Sequence, residues 1–335
     1  MIKDAVLRSF AGKNVLVTGG TGLIGRQVVA MLADAGANVR IVSLDHLTVH
    51  GKAEHVYGDL TDLGLCLEVS RDMDYVFHMA GIKGSIDVTI KKPASHFVPA
   101  LMFNTNMLEA SRRNKVAKLV YTSSIGAYAS AEVFREGDNE NGPPMDFYAG
   151  WAKRMAEFQI KTYRIQYGLT GFGVVRPCNV YGPGDNFDPD NAMVIPTLMY
   201  RIARGDDPVL VWGDGSAIRD FAYSRDVAEG VILALFHGLG DQAYVNLGSG
   251  SGQSIKELVA ALGSFLDFKP FFDTSKPSGF PRRVMDISLA ARCIDYRPST
   301  PLAEGLKETW EWFQTHRDEY LHKKNYFAES QTVVE

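Results

Sequence analysis

From Asn14 to about Arg176, short apolar, β-branched runs alternate with longer amphipathic stretches. The runs are NVLVT (14–18), NVRIVSL (38–44), HVYG (55–58), DYVFHMA (74–80), KLVYTSS (118–124) and FGVVRP (172–177). Their length and their Val, Ile and Tyr content predict strands. A 3.6-residue periodicity is clearest over 23–35, 97–113 and 150–166, each between two strand candidates, and predicts helices there. Strand–helix alternation of this kind predicts an α/β fold with a parallel sheet. After Arg176 the rhythm breaks into Gly-, Pro- and Asp-rich loops around 182–191, 205–216 and 273–283, with shorter helices between them and a final helix over about 301–317. The pattern predicts a first domain over 1–176 and a smaller α/β lobe over 177–322, with chain crossing back to the first sheet. A polar tail covers 323–335.

Composition removes several classes of function. A chain of 335 residues can bury a large core. Its formal net charge of -4, with Lys and Arg scattered singly, gives no electrostatic footprint for nucleic acid or an anionic membrane. No apolar run approaches the ~20 residues of a membrane span. Cys66, Cys178 and Cys293 are too few and too dispersed for a disulfide framework or a CxxC metal site. The expectation is a soluble protein of the reducing cytoplasm with no metal.

The first strand runs into Gly19-Gly20-Thr21-Gly22-Leu23-Ile24-Gly25 and then into a helix. Gly19 and Gly22 allow a tight turn and close backbone approach to a pyrophosphate, which would sit on the amides around Leu23 and Ile24 at the helix start. Gly25 allows helix and sheet to pack closely. These features predict a Rossmann doubly wound parallel sheet that binds a dinucleotide. Asp45, 20 residues after Gly25 at the end of the second strand, can accept both ribose hydroxyls and would repel a 2′-phosphate. No Arg follows it, so NAD is favoured over NADP.

On these residues the chain resembles the extended short-chain dehydrogenase/reductases, particularly the nucleotide-sugar epimerases and reductases, over roughly 14–312. Gly58-Asp59-Leu60 resembles the family's GDL element, whose Asp contacts adenine. His78-Met79-Ala80-Gly81 is similar to its HxAG turn beneath the cofactor, Lys83 falls where UDP-galactose 4-epimerases have a cofactor-contacting Lys, and Asn104 sits where the family has a helix Asn. Thr122-Ser123-Ser124 ends strand five four residues before Tyr128, which by resemblance makes Ser124 the group that hydrogen-bonds the reacting hydroxyl. Arg176-Pro177-Cys178-Asn179-Val180-Tyr181-Gly182-Pro183 is similar to RPxNxYGP, in which the Pro borders the nicotinamide and the Asn reaches the substrate. Asp214-Gly215 reads as a hairpin turn. Arg219-Asp220-Phe221 after it resembles the element whose Arg binds a nucleotide diphosphate, a task suited to the planar guanidinium fork. Residues 181–187 and 276–283 look most like the GDP-fucose synthase branch and imply Arg282 as a further phosphate or ribose contact. The implied substrate is a nucleotide-diphosphate sugar, and the helices matching 97–113 and 150–166 imply a homodimer.

The reaction of this family needs a Tyr phenol as base, its pKa lowered by a Lys four residues later. Here the segment is Phe147-Tyr148-Ala149-Gly150-Trp151-Ala152-Lys153, and Ala149 stands four before Lys153. Tyr148 is five before it. At ~100° per residue a +4 pair is about 40° apart on a helix and a +5 pair about 140°, so Tyr148 and Lys153 cannot share a face of a regular helix. Three explanations stay open. A tyrosine has been replaced in a parent that reads Phe-Tyr-Tyr-Gly-Trp-Ala-Lys, which makes this chain a catalytic-tyrosine knock-out; or a natural variant uses another residue; or the helix start is irregular enough for Tyr148 to serve. Ser124 is followed by Ile125-Gly126, where 4,6-dehydratases have Asp-Glu and GDP-fucose synthases have a Cys at the second position. What remains is redox chemistry at the sugar C4: a 4-epimerase first, then a 4-dehydrogenase or 4-ketoreductase. A non-catalytic NAD-binding sensor or scaffold is the competing class, and Ser124 and Lys153 argue against it.

Overall fold

The computed structural model describes residues 2–82, 84 and 86–323. In chain order its strands are β1 (Asn14–Thr18), β2 (Asn38–Ser43), β3 (Glu54–Tyr57), β4 (Tyr75–His78), β5 (Lys118–Thr122), β6 (Val133–Phe134) and β7 (Phe172–Pro177). They are followed by β8 (Asn179–Tyr181), β9 (Val209–Trp212), β10 (Ile218–Tyr223), β11 (Tyr244–Leu247), β12 (Gly252–Ser254), β13 (Pro270–Asp273) and β14 (Arg282–Met285). Seven form one sheet in the order β11-β7-β5-β4-β1-β2-β3, every neighbouring pair parallel. The strand order reverses at β1 and β4, which opens a crevice at the carboxyl ends of the strands.

Both faces of this sheet are covered, and that is why its strands read as continuous apolar runs. On β1, Val15 and Val17 enter one buried cluster with Val28, Val29 and Leu32 of the Gly25–Asp34 helix, while Leu16 enters the opposite cluster with Met107, Leu119 and Ile160. Each fully buried side chain of this kind contributes roughly 1.5–3 kcal/mol relative to exposure. The other clusters of strands are small. β12, β10, β14 and β6 lie side by side, with β8 also on β10, and β9 pairs only with β13. Two strands therefore sit away from their neighbours in sequence: β11 joins the large sheet beside β7, and β6 joins β14.

The Asp214-Gly215 segment is not a hairpin turn, correcting the sequence expectation. β9 and β10 flank it but do not pair, since β9 is held by β13 and β10 by β8, β12 and β14. The Asp214 carboxylate accepts from the Ser216 N–H and hydroxyl, which makes a local turn without any strand register. No described helix is long and apolar enough to cross a membrane.

Candidate functional site

A cavity of about 510 Å³ runs along the carboxyl ends of β1, β2, β4, β5 and β7. That volume is in the range of small-molecule sites. Its dinucleotide end is made by backbone. Gly19 has φ +65, and a Cβ there would stand 2.8 Å from the Ala80 backbone. A Cβ on Gly25 would collide with the Gly19 carbonyl, so any larger residue would push the helix off the turn. Gly22, Leu23 and Ile24 line the same wall, and Asp45, Asp59, Leu60, Ala80 and Gly81 line the far side. The Thr21 hydroxyl donates to Asp45 Oδ2 at 2.8 Å and fixes the carboxylate at the cavity edge.

Beneath the cavity lies a buried polar chain. The Met79 and Ala80 N–H groups donate to the Thr18 hydroxyl, which donates to His78 Nδ1 at 2.8 Å; His78 Nε2 in turn donates to Asn104 Oδ1 at 2.9 Å. Burial, with Lys153 nearby, pushes the His78 pKa down to about 3, so the ring is a neutral strut for the loop after β4. Asn104 does not line the cavity, contrary to its sequence assignment as a cofactor residue. It is 2% exposed, and its two polar ends are taken by His78 and the Tyr121 hydroxyl. Lys83 lies outside the described residues.

The chemical end gathers Thr122, Ser124, Ala149, Lys153, Pro177 and Asn179 around one space. Lys153 Nζ donates to the Thr122 carbonyl at 2.8 Å, and burial lowers its pKa to about 8 against the opposing charge of Glu157. The Ser124 hydroxyl accepts the Gly126 N–H at 3.1 Å and faces the cavity with a proton to give. Behind it the fully buried Arg176 makes a two-pronged pair with Glu157, at 2.9 and 2.8 Å, and bonds the Tyr128 hydroxyl. The helix Phe147–Tyr167 starts abruptly, with Phe147 at φ +42. Tyr148 lies in its first turn, half exposed, its ring edge-on to Phe97 at 6.3 Å.

Two arginines assigned to substrate do not line the cavity. Arg219 donates to the carbonyls of Ile218 at 2.8 Å and Phe280 at 2.6 Å, which ties the 276–281 loop down. Arg282 pairs in register with Ile218, whereas Arg283 is the partner of Arg219. In a parallel ladder matched residues share a face, so Arg283, not Arg282, is the cation beside Arg219. Burial and Arg283 together lower the Arg219 pKa to about 10. Arg283 lies over the Phe280 ring at 4.0 Å and 3.6 Å from the Asp146 carboxylate, with its Nε and Nη2 unpartnered. Sequence reasoning missed Asp146 and Lys323, which line the cavity, and Arg283, which does not line it but pairs with Asp146. Lys323 lines the cavity near Asp45 and Asp185, and burial lowers its pKa to about 8. Only the register with β10 singles out Arg283, and nothing in the local sequence points to Lys323.

The NAD dependent epimerase/dehydratase family matches residues 15–248. The chain belongs to that family. Among curated epimerase/dehydratase relatives, a probable GDP-L-fucose synthase 1 of Oryza sativa subsp. japonica is 32% identical over 313 residues, covering 90% of this chain and 92% of the relative. Among solved structures, the UDP-glucose 4-epimerase of Thermotoga maritima with UDP-glucose superposes with a TM-score of 0.80 at 27% identity, covering 91% of this chain and 99% of the other. A GDP-L-fucose synthetase of Naegleria fowleri bound to NADP gives 0.77 at 25%, covering 91% and 94%. The short-chain dehydrogenase/reductase resemblance and the Rossmann sheet read from the motifs are thereby established.

Proposed function

We propose that the protein is a cytoplasmic, homodimeric enzyme that oxidises and reduces C4 of a nucleotide-activated sugar, with NAD retained through a 4-epimerisation. The observation that carries this reading is one cavity holding the glycine turn and Asp45 at one end and Ser124, Lys153 and Asn179 at the other. The residues fit a dinucleotide: the turn leaves no room for a Cβ at Gly19 or Gly25, and Asp45 offers a carboxylate to ribose hydroxyls. When bound, the dinucleotide supplies the hydride acceptor and donor for C4.

The chain's own residues supply the rest. Ser124 donates to the C4 oxygen, and Lys153 holds the nicotinamide ribose and a positive charge beside position 149. A phenol at that position would have its proton loosened by this charge. Ala149 offers no proton acceptor, so the present chain binds both ligands and turns over slowly. The rice and Thermotoga relatives support a GDP- or UDP-sugar as substrate. A second reading, 4-ketoreduction with NADP, is favoured by Lys323, a cation that lines the cavity with Asp45. Exposed Val98, Met102, Trp151 and Met155 on the two packed helices support the dimer.

Calorimetric titration of GDP- and UDP-sugars, with NAD and NADP in turn, tests the reading. Binding of one nucleotide sugar in the presence of NAD is expected. No binding by any sugar would leave a dinucleotide-binding sensor or scaffold.

A further inference from the structure

Asp146 occupies a place that its helix position does not explain. It stands at the N-cap of the Phe147–Tyr167 helix, where an aspartate commonly accepts an N–H of the first turn, yet its carboxylate makes no cap bond. It turns instead against Gly126, so closely that a Cβ on that glycine would collide with it. A Cβ on Gly150 would likewise strike the Gly126 carbonyl, so two glycines bring the helix start onto the turn after β5 and make room for the carboxylate. Asp146, Ser124, Gly126, Ala149 and Lys153 all line the one cavity. Asp146 Oδ1 is buried without a hydrogen-bond partner, and the nearest cation, Arg283, is 3.6 Å away. A carboxylate placed for stability would have its oxygens satisfied.

We propose that Asp146 is a further catalytic group, the acid–base that moves the proton on the sugar carbon next to C4. The claim rests on the C4 reading above. Asp146 lies against Gly126, two residues after Ser124, on the cavity that Ser124, Ala149 and Lys153 also line. A sugar whose C4 oxygen meets Ser124 would bring the ring carbons that flank C4 toward this carboxylate. On a 4-keto sugar the carboxylate takes the proton of the adjacent C–H. The C–H electron pair becomes the C=C bond of an enolate whose negative oxygen accepts from Ser124. The carboxylic acid then returns a proton to carbon, and after exchange with water that proton comes from solvent. No oxidant or reductant is consumed. Burial raises the Asp146 pKa and Arg283 opposes the shift, which makes the carboxylate a stronger base than a solvated one.

The step needs no hydride transfer, so it can be read on this chain despite Ala149. The protein is incubated in D₂O with GDP- and UDP-linked 4-keto-6-deoxyhexoses, while proton NMR follows the hydrogens beside C4 and saturation transfer reports binding in the same tube. Deuterium is expected to enter at a carbon beside C4, at a rate that falls on the order of 100-fold in Asp146→Asn with binding retained. Gly126→Ala, which displaces the carboxylate without changing it, is expected to lose exchange as well. Binding without exchange, or unchanged exchange in Asp146→Asn, overturns the proposal. Absence of binding by either keto sugar overturns the C4 reading, and this one with it.

Discussion

The two ends of the cavity are built differently. At the dinucleotide end the working atoms are backbone: Gly19, Gly22 and Gly25 leave space at the carboxyl end of β1, and a neutral His78 strut holds the opposite loop. At the sugar end they are side chains carried by elements far apart in sequence, with Asp146 of one helix facing Arg283 of β14. A backbone cradle is written in consecutive residues. A cluster of side chains depends on strand register and on which loop lies over which arginine.

The largest effect is expected in the buried ion pair behind the chemical end. Glu157→Ala leaves the fully buried Arg176 without its counter-charge and should cost about 3–5 kcal/mol in urea unfolding. Gly25→Ala attacks the dinucleotide end alone. It should weaken NAD binding by calorimetry, with nucleotide-sugar affinity much less changed; equal losses would deny the division.

Acid should act first through the strut. His78, and His96, a second buried imidazole bonded to the Ile82 carbonyl, have folded pKa values of about 3 and about 4, below their ordinary 6.5. Below pH 6.5 the unfolded chain binds protons that the folded chain refuses. Stability is therefore full above pH 6.5 and falls as pH drops toward 4, by about 1.4 kcal/mol per pH unit for each group. A flat profile of thermal unfolding between pH 6.5 and 4.5 would remove the strut from the account. The smallest effect belongs to Arg282. Arg282→Ala should change sugar affinity and stability by less than about 0.5 kcal/mol, whereas Arg283→Ala, which removes the cation 3.6 Å from Asp146, should have the larger effect.

The sheet, the glycine turn and the places of Asp45, Ser124 and Lys153 along the cavity were legible because each is set by local periodicity or by a motif between a strand and a helix. Asn104 was misread because its motif position says nothing of depth: the residue is buried beneath the cavity, bonded to His78 and Tyr121. Arg282 was preferred to Arg283 because adjacent residues on a strand face opposite ways and only the pairing with β10 decides which. Lys323 could not be found at all, since its place near Asp45 comes from the fold returning the far end of the chain to β2.

Turnover of the GDP- or UDP-sugar that binds, compared in the present chain, in Ala149→Tyr and in Ala149→Phe by NADH absorbance and by product epimer, reads directly whether position 149 limits the reaction proposed for this cavity. A gain on the order of 10²–10⁴-fold is expected for Ala149→Tyr and none for Ala149→Phe, which fills the space without a hydroxyl. Equal rates for Ala149→Tyr and the present chain, with the sugar bound, would contradict that limit.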